Sequence, residues 1–449
     1  MGRVERFLEE RGLAPGVRVR IRRDDGLTVE GVIMPRYTLS DQPYLVVKLD
    51  NGYNIGVALD RIVSVEKIEE ESIRGTPGAP APLAEGPLPQ PKARVFVLGT
   101  GGTIASRIDY ETGAVKPQLD ARELAEAIPE AFQYARIDAE EVYQLLSENM
   151  KPWHWEKIAE EVYKRLTRGY DGIVVAHGTD TMGYTAAALS FAFHKGLPAP
   201  IVLVGAQRSS DRPSSDAAFN FTAAVLVAAK APFAEVVVVM HGETGDTYAL
   251  AHRGTRVRKM HSSRRDAFQS INTVPLAKVY PYDGRIEVLD PRHRRRGEQE
   301  PVLENGFDPK VALIKFYPGL AHELIHAAID RGFHGIVVEG TGFGHVSDEA
   351  IEAIRRAVEE EIPVVVATQT VFGRVNLNVY STGRKMLAAG VIPVDDMLAE
   401  TAYVKLSWVL ARTRDLGEVR RLMLTPLAGE VGERLSLRYY PRWYHGPAR

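Results

Sequence analysis

The chain contains no cysteine in 449 residues. That excludes a disulfide framework, a thiolate metal site, an iron–sulfur cluster and any cysteine nucleophile, including the Cys–His pair of many amide hydrolases. Apolar runs long enough for a membrane-spanning helix, which needs about 20 residues, are also lacking; stretches such as 236–240 and 362–368 are far shorter. The N-terminal MGRVERFLEERG has no apolar signal-peptide core, and Arg6 stands where myristoylation requires Ser or Thr. A soluble cytoplasmic protein without membrane association is expected. A large charge of one sign is missing too: the formal net charge is −2. Nucleic-acid contact would therefore come from a local patch or a partner protein.

What is present is an ordinary globular composition, 45% hydrophobic and 25% charged. A chain of this length buries a full core without metals or disulfides. At roughly 100–200 residues per domain it suggests about two to four domains. Residues 73–93, SIRGTPGAPAPLAEGPLPQPK, are dominated by Pro, Gly and Ala and read as a semi-extended linker.

The unit before it, 1–72, starts with a helical turn or two at 4–11. Alternating segments follow at 17–21, 28–34, 44–48, 54–58 and 62–67, separated by short turn signals. Five short strands at this spacing predict a small SH3-like or Sm-like β-barrel. The run VRVRIRR at 17–23 holds four arginines. It is either a contact for RNA or a partner protein, or an edge strand decorated with charge.

After the linker, apolar runs at 95–99, 173–176, 201–205, 236–240, 311–316, 336–339 and 363–367 alternate with helical patterns such as 155–166, 185–193 and 348–360. Continuous Val/Ile strands joined by helices predict α/β domains with parallel sheets covered on both faces. In such sheets ligands bind beyond the carboxyl ends of the strands.

The segments after those strands carry the chemistry. The first is Gly99-Thr100-Gly101-Gly102-Thr103, a tight glycine turn with two hydroxyls. It matches neither GxGxxG nor a Walker A sequence. The second, His177-Gly178-Thr179-Asp180-Thr181, offers hydroxyls and a carboxylate, although Asp180 or Thr181 also suits a helix N-cap. The third, Gly205-Ala206-Gln207-Arg208 with the Ser/Asp-rich 209–216, reads mainly as structural support. A fourth, RVRKMHSS at 256–263, is either a solvated basic face or the source of a base, Lys259. Together they supply hydroxyl nucleophiles, a lysine–aspartate pair to manage a proton, and backbone N–H groups for an oxyanion. Those are the parts for acyl transfer without cysteine. The histidines show no HExxH or comparable ligand spacing, so no metal site is expected.

TGGTIAS at 100–106, SENM at 147–150, HGTDTM at 177–182, GAQR at 205–208 and the lysine segment occur in this order. The chain resembles the bacterial-type asparaginase/glutaminase family over about 94–425. The resemblance implies a doubly wound large domain at 94–290, a linker at 291–310, a smaller α/β domain at 311–425 and a tail at 426–449. It implies Thr103 as the attacking hydroxyl, with Thr179 as the alternative, and Thr179, Asp180 and Lys259 as a bonded triad. Ser147 and Glu148 would hold the α-carboxylate and α-amine of the substrate, with Gly102 and Gly178 completing the contacts. Tyr110 lies in the family's mobile loop, but closer to Thr103 than the family tyrosine.

The barrel, the linker and this core together resemble the D subunits of archaeal glutamyl-tRNA(Gln) amidotransferases, as does GRVNLNVYSTGR at 373–384. That resemblance implies a glutaminase without a cofactor of its own. A partner, the E subunit, would use the ammonia, with ATP and Mg, on Glu-tRNA(Gln), and would bind most of that tRNA. A homodimer through the core would give a D2E2 heterotetramer. Two rivals are a stand-alone asparaginase and an asparaginase-like scaffold without activity. The arginine-rich 292–296 is either a solvated loop or a polyanion contact.

Overall fold

The computed structural model describes residues 3–34, 43–48, 54–68, 91–102, 106–108, 115–117, 128–208, 215–319, 321–436 and 439–440. The expected linker lies outside them except for 91–93, as do Thr103 and Tyr110.

The N-terminal unit opens with helix α1 (Arg3–Glu9). Five strands follow: β1 (Arg18–Arg23), β2 (Thr28–Ile33), β3 (Tyr44–Lys48), β4 (Asn54–Ala58) and β5 (Ile62–Lys67). They form one antiparallel sheet in the order β4-β3-β2-β1-β5. Alternation along β1 turns Val19 and Ile21 inward, where they meet Val29, Ile33, Leu45, Val47 and Val57. The outward arginines are largely paired. Arg20 meets Glu30, and Arg23 meets Asp25 at 2.7 Å. Arg22 lies opposite Thr28 and Ser64. The strand is decorated with charge but is not the edge strand expected: β1 pairs with β2 on one side and β5 on the other.

The large domain comprises β6 (Arg94–Gly101), β7 (Ser106–Ile108), β8 (Val115–Pro117), β9 (Arg136–Leu145), α2 (Pro152–Leu166), β10 (Gly172–Ala176), α3 (Met182–Ala192), β11 (Ile201–Val204), α4 (Ala217–Lys230), β12 (Val236–His241), β13 (Ala249–Arg253), β14 (Val257–Lys259), β15 (Phe268–Ser270), β16 (Ala277–Tyr280) and β17 (Arg285–Val288). Its eight-stranded sheet runs β17-β16-β13-β12-β11-β10-β6-β9. The five strands from β9 to β12 are parallel. The other three add antiparallel, so the sheet is mixed rather than wholly parallel. Buried on both faces, β10 (GIVVA) and β12 (VVVVMH) are continuous apolar runs, as parallel strands require. Each fully buried Val or Ile there contributes about 1.5–3 kcal/mol.

The small domain has β18 (Val311–Lys315), α5 (Ala321–Asp330), β19 (Gly335–Gly340), α6 (Asp348–Glu359), β20 (Val364–Thr368), α7 (Ser381–Ala388) and β21 (Ile392–Pro393). Helices α8 (Ala399–Leu410) and α9 (Leu416–Leu424) follow. The sheet is parallel, in simple chain order β18-β19-β20-β21. In α6, Ser347 caps the N-terminus by accepting from the Ala350 N–H, and Ala350, Ile351, Ala353, Ile354 and Ala357 form the buried stripe.

Helix α8 joins the domains. Its Val404, Leu406 and Trp408 share one core with Phe191 of α3 and Val337 of β19. The segment after 425, expected as a tail, packs into this core as far as about residue 432. Lys405 and Glu430 form a fully buried ion pair at 2.6 Å, and the lysine's other protons go to the carbonyls of Met423 and Thr425. A buried charge is tolerated only when paired and hydrogen-bonded in this way. In the arginine-rich stretch, part of the run is structural rather than solvated. Arg294 donates to the Phe193 carbonyl at 3.0 Å, Arg296 to that of Ala229 at 2.7 Å, and Arg292 to Asp290 at 3.0 Å. Arg294 and Arg296 bond the chain leaving β17 to the large domain, whereas Arg292 and Arg295 are exposed, the latter pairing with Glu298.

Candidate active site

β6 lies between β9 and β10. The chain leaves β6 toward β9 on one side and later returns to β10 on the other. The carboxyl ends of β6 and β10 therefore flank the point where strand order reverses, and a crevice opens there. The Thr100–Gly102 turn and the His177–Thr181 segment both end in that crevice.

Glycine lets the two strand ends meet. Gly101 and Gly102 have φ of +92° and +86°, the left-handed region that side chains disfavour. A Cβ on Gly102 would fall 2.3 Å from the Gly178 nitrogen, and one on Gly178 would fall 2.7 Å from the Ser147 Cβ. Gly102, Gly178 and Ser147 are thus in backbone-close contact. Thr100 uses its hydroxyl to bind β6 to β10, donating to the Ala176 carbonyl at 2.9 Å.

Lys259 reaches this point from β14. Its ammonium donates to the Thr179 hydroxyl at 2.8 Å and to the Asp180 carboxylate at 2.9 Å. Thr179 is 5% exposed, whereas the Asp180 side chain is 68% exposed. A buried hydroxyl, an ammonium and an open carboxylate in one chain form a proton-handling group facing a cleft. Lys259 is neither on a solvated face nor unpaired.

A histidine underpins the loop. His177 is fully buried, with Nδ1 at 2.7 Å from the Gly178 carbonyl. A carbonyl only accepts, so Nδ1 carries the proton. Nε2 then accepts from the Thr185 hydroxyl at 2.8 Å. Burial pushes the imidazole pKa down to about 4, which keeps it neutral. The Gly178–Thr179 peptide is thereby held from beneath. Asp216 holds the neighbouring loop, accepting from the Gln207 and Arg208 N–H groups at 3.0 Å. Asn220 donates to the Gly205 carbonyl at 3.0 Å and accepts from His241 Nδ1 at 2.6 Å. This matches the supporting role expected for the loop.

Of the expected residues, Gly102, Gly178, Ser147, Thr179, Asp180 and Lys259 converge. Glu148 is exposed on the short 3-10 turn Ser147–Asn149 beside them. Thr103 lies outside the described residues, next to Gly102 in the chain. Neither Asp180 nor Thr181 caps α3 through its side chain. Asp180 turns to the lysine, and Thr181 donates to the Ser147 carbonyl at 2.7 Å. Among the described residues no three His, Asp or Glu side chains gather as metal ligands. The underpinning His177 went unread in the sequence, where its only signal is a histidine directly after a buried strand and two residues before Thr179.

Three family models match the chain. Residues 94–294 match "Asparaginase, N-terminal", 310–423 match "Glutaminase/Asparaginase C-terminal domain", and 13–68 match "GatD N-terminal domain". A relative from Aeropyrum pernix, the D subunit of glutamyl-tRNA(Gln) amidotransferase, is 62% identical over 94% of this chain and 99% of its own. The protein of that name from Pyrococcus abyssi is 56% identical, over 96% and 97% respectively. Among solved structures, the thermostable L-asparaginase from Thermococcus kodakarensis matches with a TM-score of 0.67 and 37% identity. That match covers 76% of this chain and all of the asparaginase.

Proposed function

The chain belongs to the family of glutamyl-tRNA(Gln) amidotransferase D subunits, and from that premise we propose how its crevice serves the complex. It is the glutaminase component, hydrolysing glutamine to glutamate and ammonia. The hydroxyl of Thr103, or in its place Thr179, attacks the amide carbonyl. The C–N bond breaks, ammonia leaves with a proton, and the acyl group remains as an ester on threonine. Water then cleaves the ester to give glutamate and the free hydroxyl. Lys259 and Asp180 carry the proton between hydroxyl, leaving group and water. The Gly102 and Gly178 backbone, Ser147 and Glu148 hold the substrate. The observation that carries this reading is Lys259 bonded to both Thr179 and Asp180 at the switch point.

In this reading the chain uses no cofactor. The E subunit takes the ammonia, with ATP and Mg, to convert Glu-tRNA(Gln) to Gln-tRNA(Gln), and supplies most of the tRNA-binding surface. A net charge of −2 suits that division. Two copies of this chain join through the asparaginase-like core, each with one E protein, in the cytoplasm. No helix among the described residues is long and apolar enough to cross a membrane. The test is ammonia release from glutamine and from asparagine by the chain alone, with the E protein, and with the E protein, Glu-tRNA(Gln) and ATP. Activity on glutamine that rises strongly in the complete mixture supports the amidotransferase. Rapid asparagine hydrolysis by the chain alone, indifferent to the E protein and tRNA, would instead make it a free asparaginase.

A further inference from the structure

The hairpin of β14 and β15 carries Lys259 but belongs to neither main sheet; it is a two-stranded sheet of its own. Val257 anchors it in the core, and Ser270 bonds His252 of β13 at 2.8 Å. Its tip also bonds the large domain, through Lys259 itself and through Arg265 to the Thr244 carbonyl and Asp246, while the base of the hairpin bonds to the small domain and the segment after α9. On entry, the Thr255 hydroxyl donates to the Ala428 carbonyl at 3.0 Å, and the Thr255 carbonyl accepts from Thr401 at 2.9 Å. Arg256, only 2% exposed, forms an ion pair with Asp396 at 3.1 Å and donates to the Gly429 carbonyl at 3.1 Å. Asp396 also accepts from the Gly432 N–H at 2.9 Å. On the strand, Arg258 pairs with Glu400 at the start of α8 at 3.2 Å. On exit, Asn272, at φ +55°, clamps Gly373 with two hydrogen bonds of 3.0 Å.

We infer that Arg256, with Asp396 as its counter-charge, is a positioning residue for Lys259: the small domain sets how the lysine reaches Thr179. Arg256 lies three residues before Lys259, about 10 Å along an extended chain. Three of those residues form the strand itself, so displacement of Arg256 is carried to the lysine rather than absorbed by a loop. The substrate-holding groups at Ser147, Gly178 and Gly102 rest on β9, β10 and β6, and are not attached to this latch. Loosening it therefore acts on turnover and leaves substrate binding in place. A misplacement near 1 Å is enough for a loss on the order of 100-fold.

The inference rests on the reading of Lys259 as a catalytic residue, so Lys259→Met is run beside the test variants. All are full-length chains assembled with the E protein and assayed for ammonia release with Glu-tRNA(Gln) and ATP. Asp396→Asn is expected to lower kcat by roughly 10- to 100-fold with KM for glutamine within about twofold. Arg256→Lys, which keeps the charge but loses the fork geometry, should fall between. Should Asp396→Asn fail to fold, Arg258→Gln decides, because a partly exposed ion pair contributes little to stability; kcat is expected to drop several-fold at unchanged melting temperature. Lys259→Met at wild-type activity would overturn the functional reading itself. Lys259→Met inactive, with the latch variants at wild-type kcat or with KM rising as much as kcat falls, would overturn the positioning role alone.

Discussion

The loops at the carboxyl ends of the two sheets are built from the same residues. The large domain has Thr100-Gly101-Gly102 and Gly178-Thr179-Asp180; the small domain has Gly340-Thr341-Gly342 and Thr368-Gln369-Thr370. In the small domain every one of these threonine hydroxyls is committed to backbone. Thr341 donates to the His345 carbonyl at 3.0 Å, Thr368 to Gly342 at 2.6 Å, and Thr370 to Phe372 at 2.9 Å. In the large domain Thr179 instead faces an ammonium held by a carboxylate. The topologies differ in the same sense. The small sheet runs in chain order without reversal, whereas the large sheet reverses at β6, where the crevice opens. Glycines and threonines make a tight loop in either place. A strand-order reversal and a lysine delivered from a separate hairpin set one of them apart, and on the proposed function make it the reaction site.

Breaking the large-domain side should have the largest effect. Lys259→Met is expected to lower kcat for ammonia release by about 10²–10⁴-fold, with the melting temperature little changed. Retained activity would remove the distinction between the loops.

Acid should act next, through the histidine beneath the reactive loop. Below the ordinary value of 6.5 the unfolded chain takes up a proton that folded His177, with its pKa near 4, declines. Its stabilising contribution is therefore whole above about pH 6.5 and is lost as pH falls toward 4, by about 3 kcal/mol. His252, pushed down to about 3 by burial, adds in the same sense. Denaturant midpoints measured from pH 7 to 4 should fall for the wild type and fall less steeply for His177→Asn. Equal slopes would remove His177 as the buried support of the site.

The smallest effect on chemistry is expected from the small domain. Thr368→Val leaves the Gly342 carbonyl without its hydroxyl partner and should cost about 1–3 kcal/mol of stability. Turnover should stay within about twofold of wild type. A large loss of turnover at unchanged stability would show that the small-domain loop shares in the reaction.

Much of this contrast was legible in the sequence, because it is written locally. The runs that became β6, β10, β11, β12, β18, β19 and β20 are continuous Val/Ile segments, and burial on both faces permits little else. The site residues stand in short segments directly after such strands. Strands with a mixed pattern escaped: β9 (RIDAEEVYQL) and β17 (RIEV) lie at the sheet's edges and carry charge on their open faces. The roles of arginine escaped for another reason. Arg256 meets a carboxylate 140 positions away, and Arg296 a carbonyl 67 positions away, so no local spacing announces either. A basic run has the same appearance whether it is solvated, binds a polyanion or bonds one segment to another.

Covalent capture tests most directly the claim that chemistry belongs to the large-sheet crevice. The complex would be incubated with an electrophilic glutamine analogue during turnover and the labelled peptide mapped. The account predicts a single ester-linked label on Thr103 or Thr179, absent from Lys259→Met. A label on Thr341, Thr368 or Thr370, or inactivation with neither large-domain threonine modified, would contradict it.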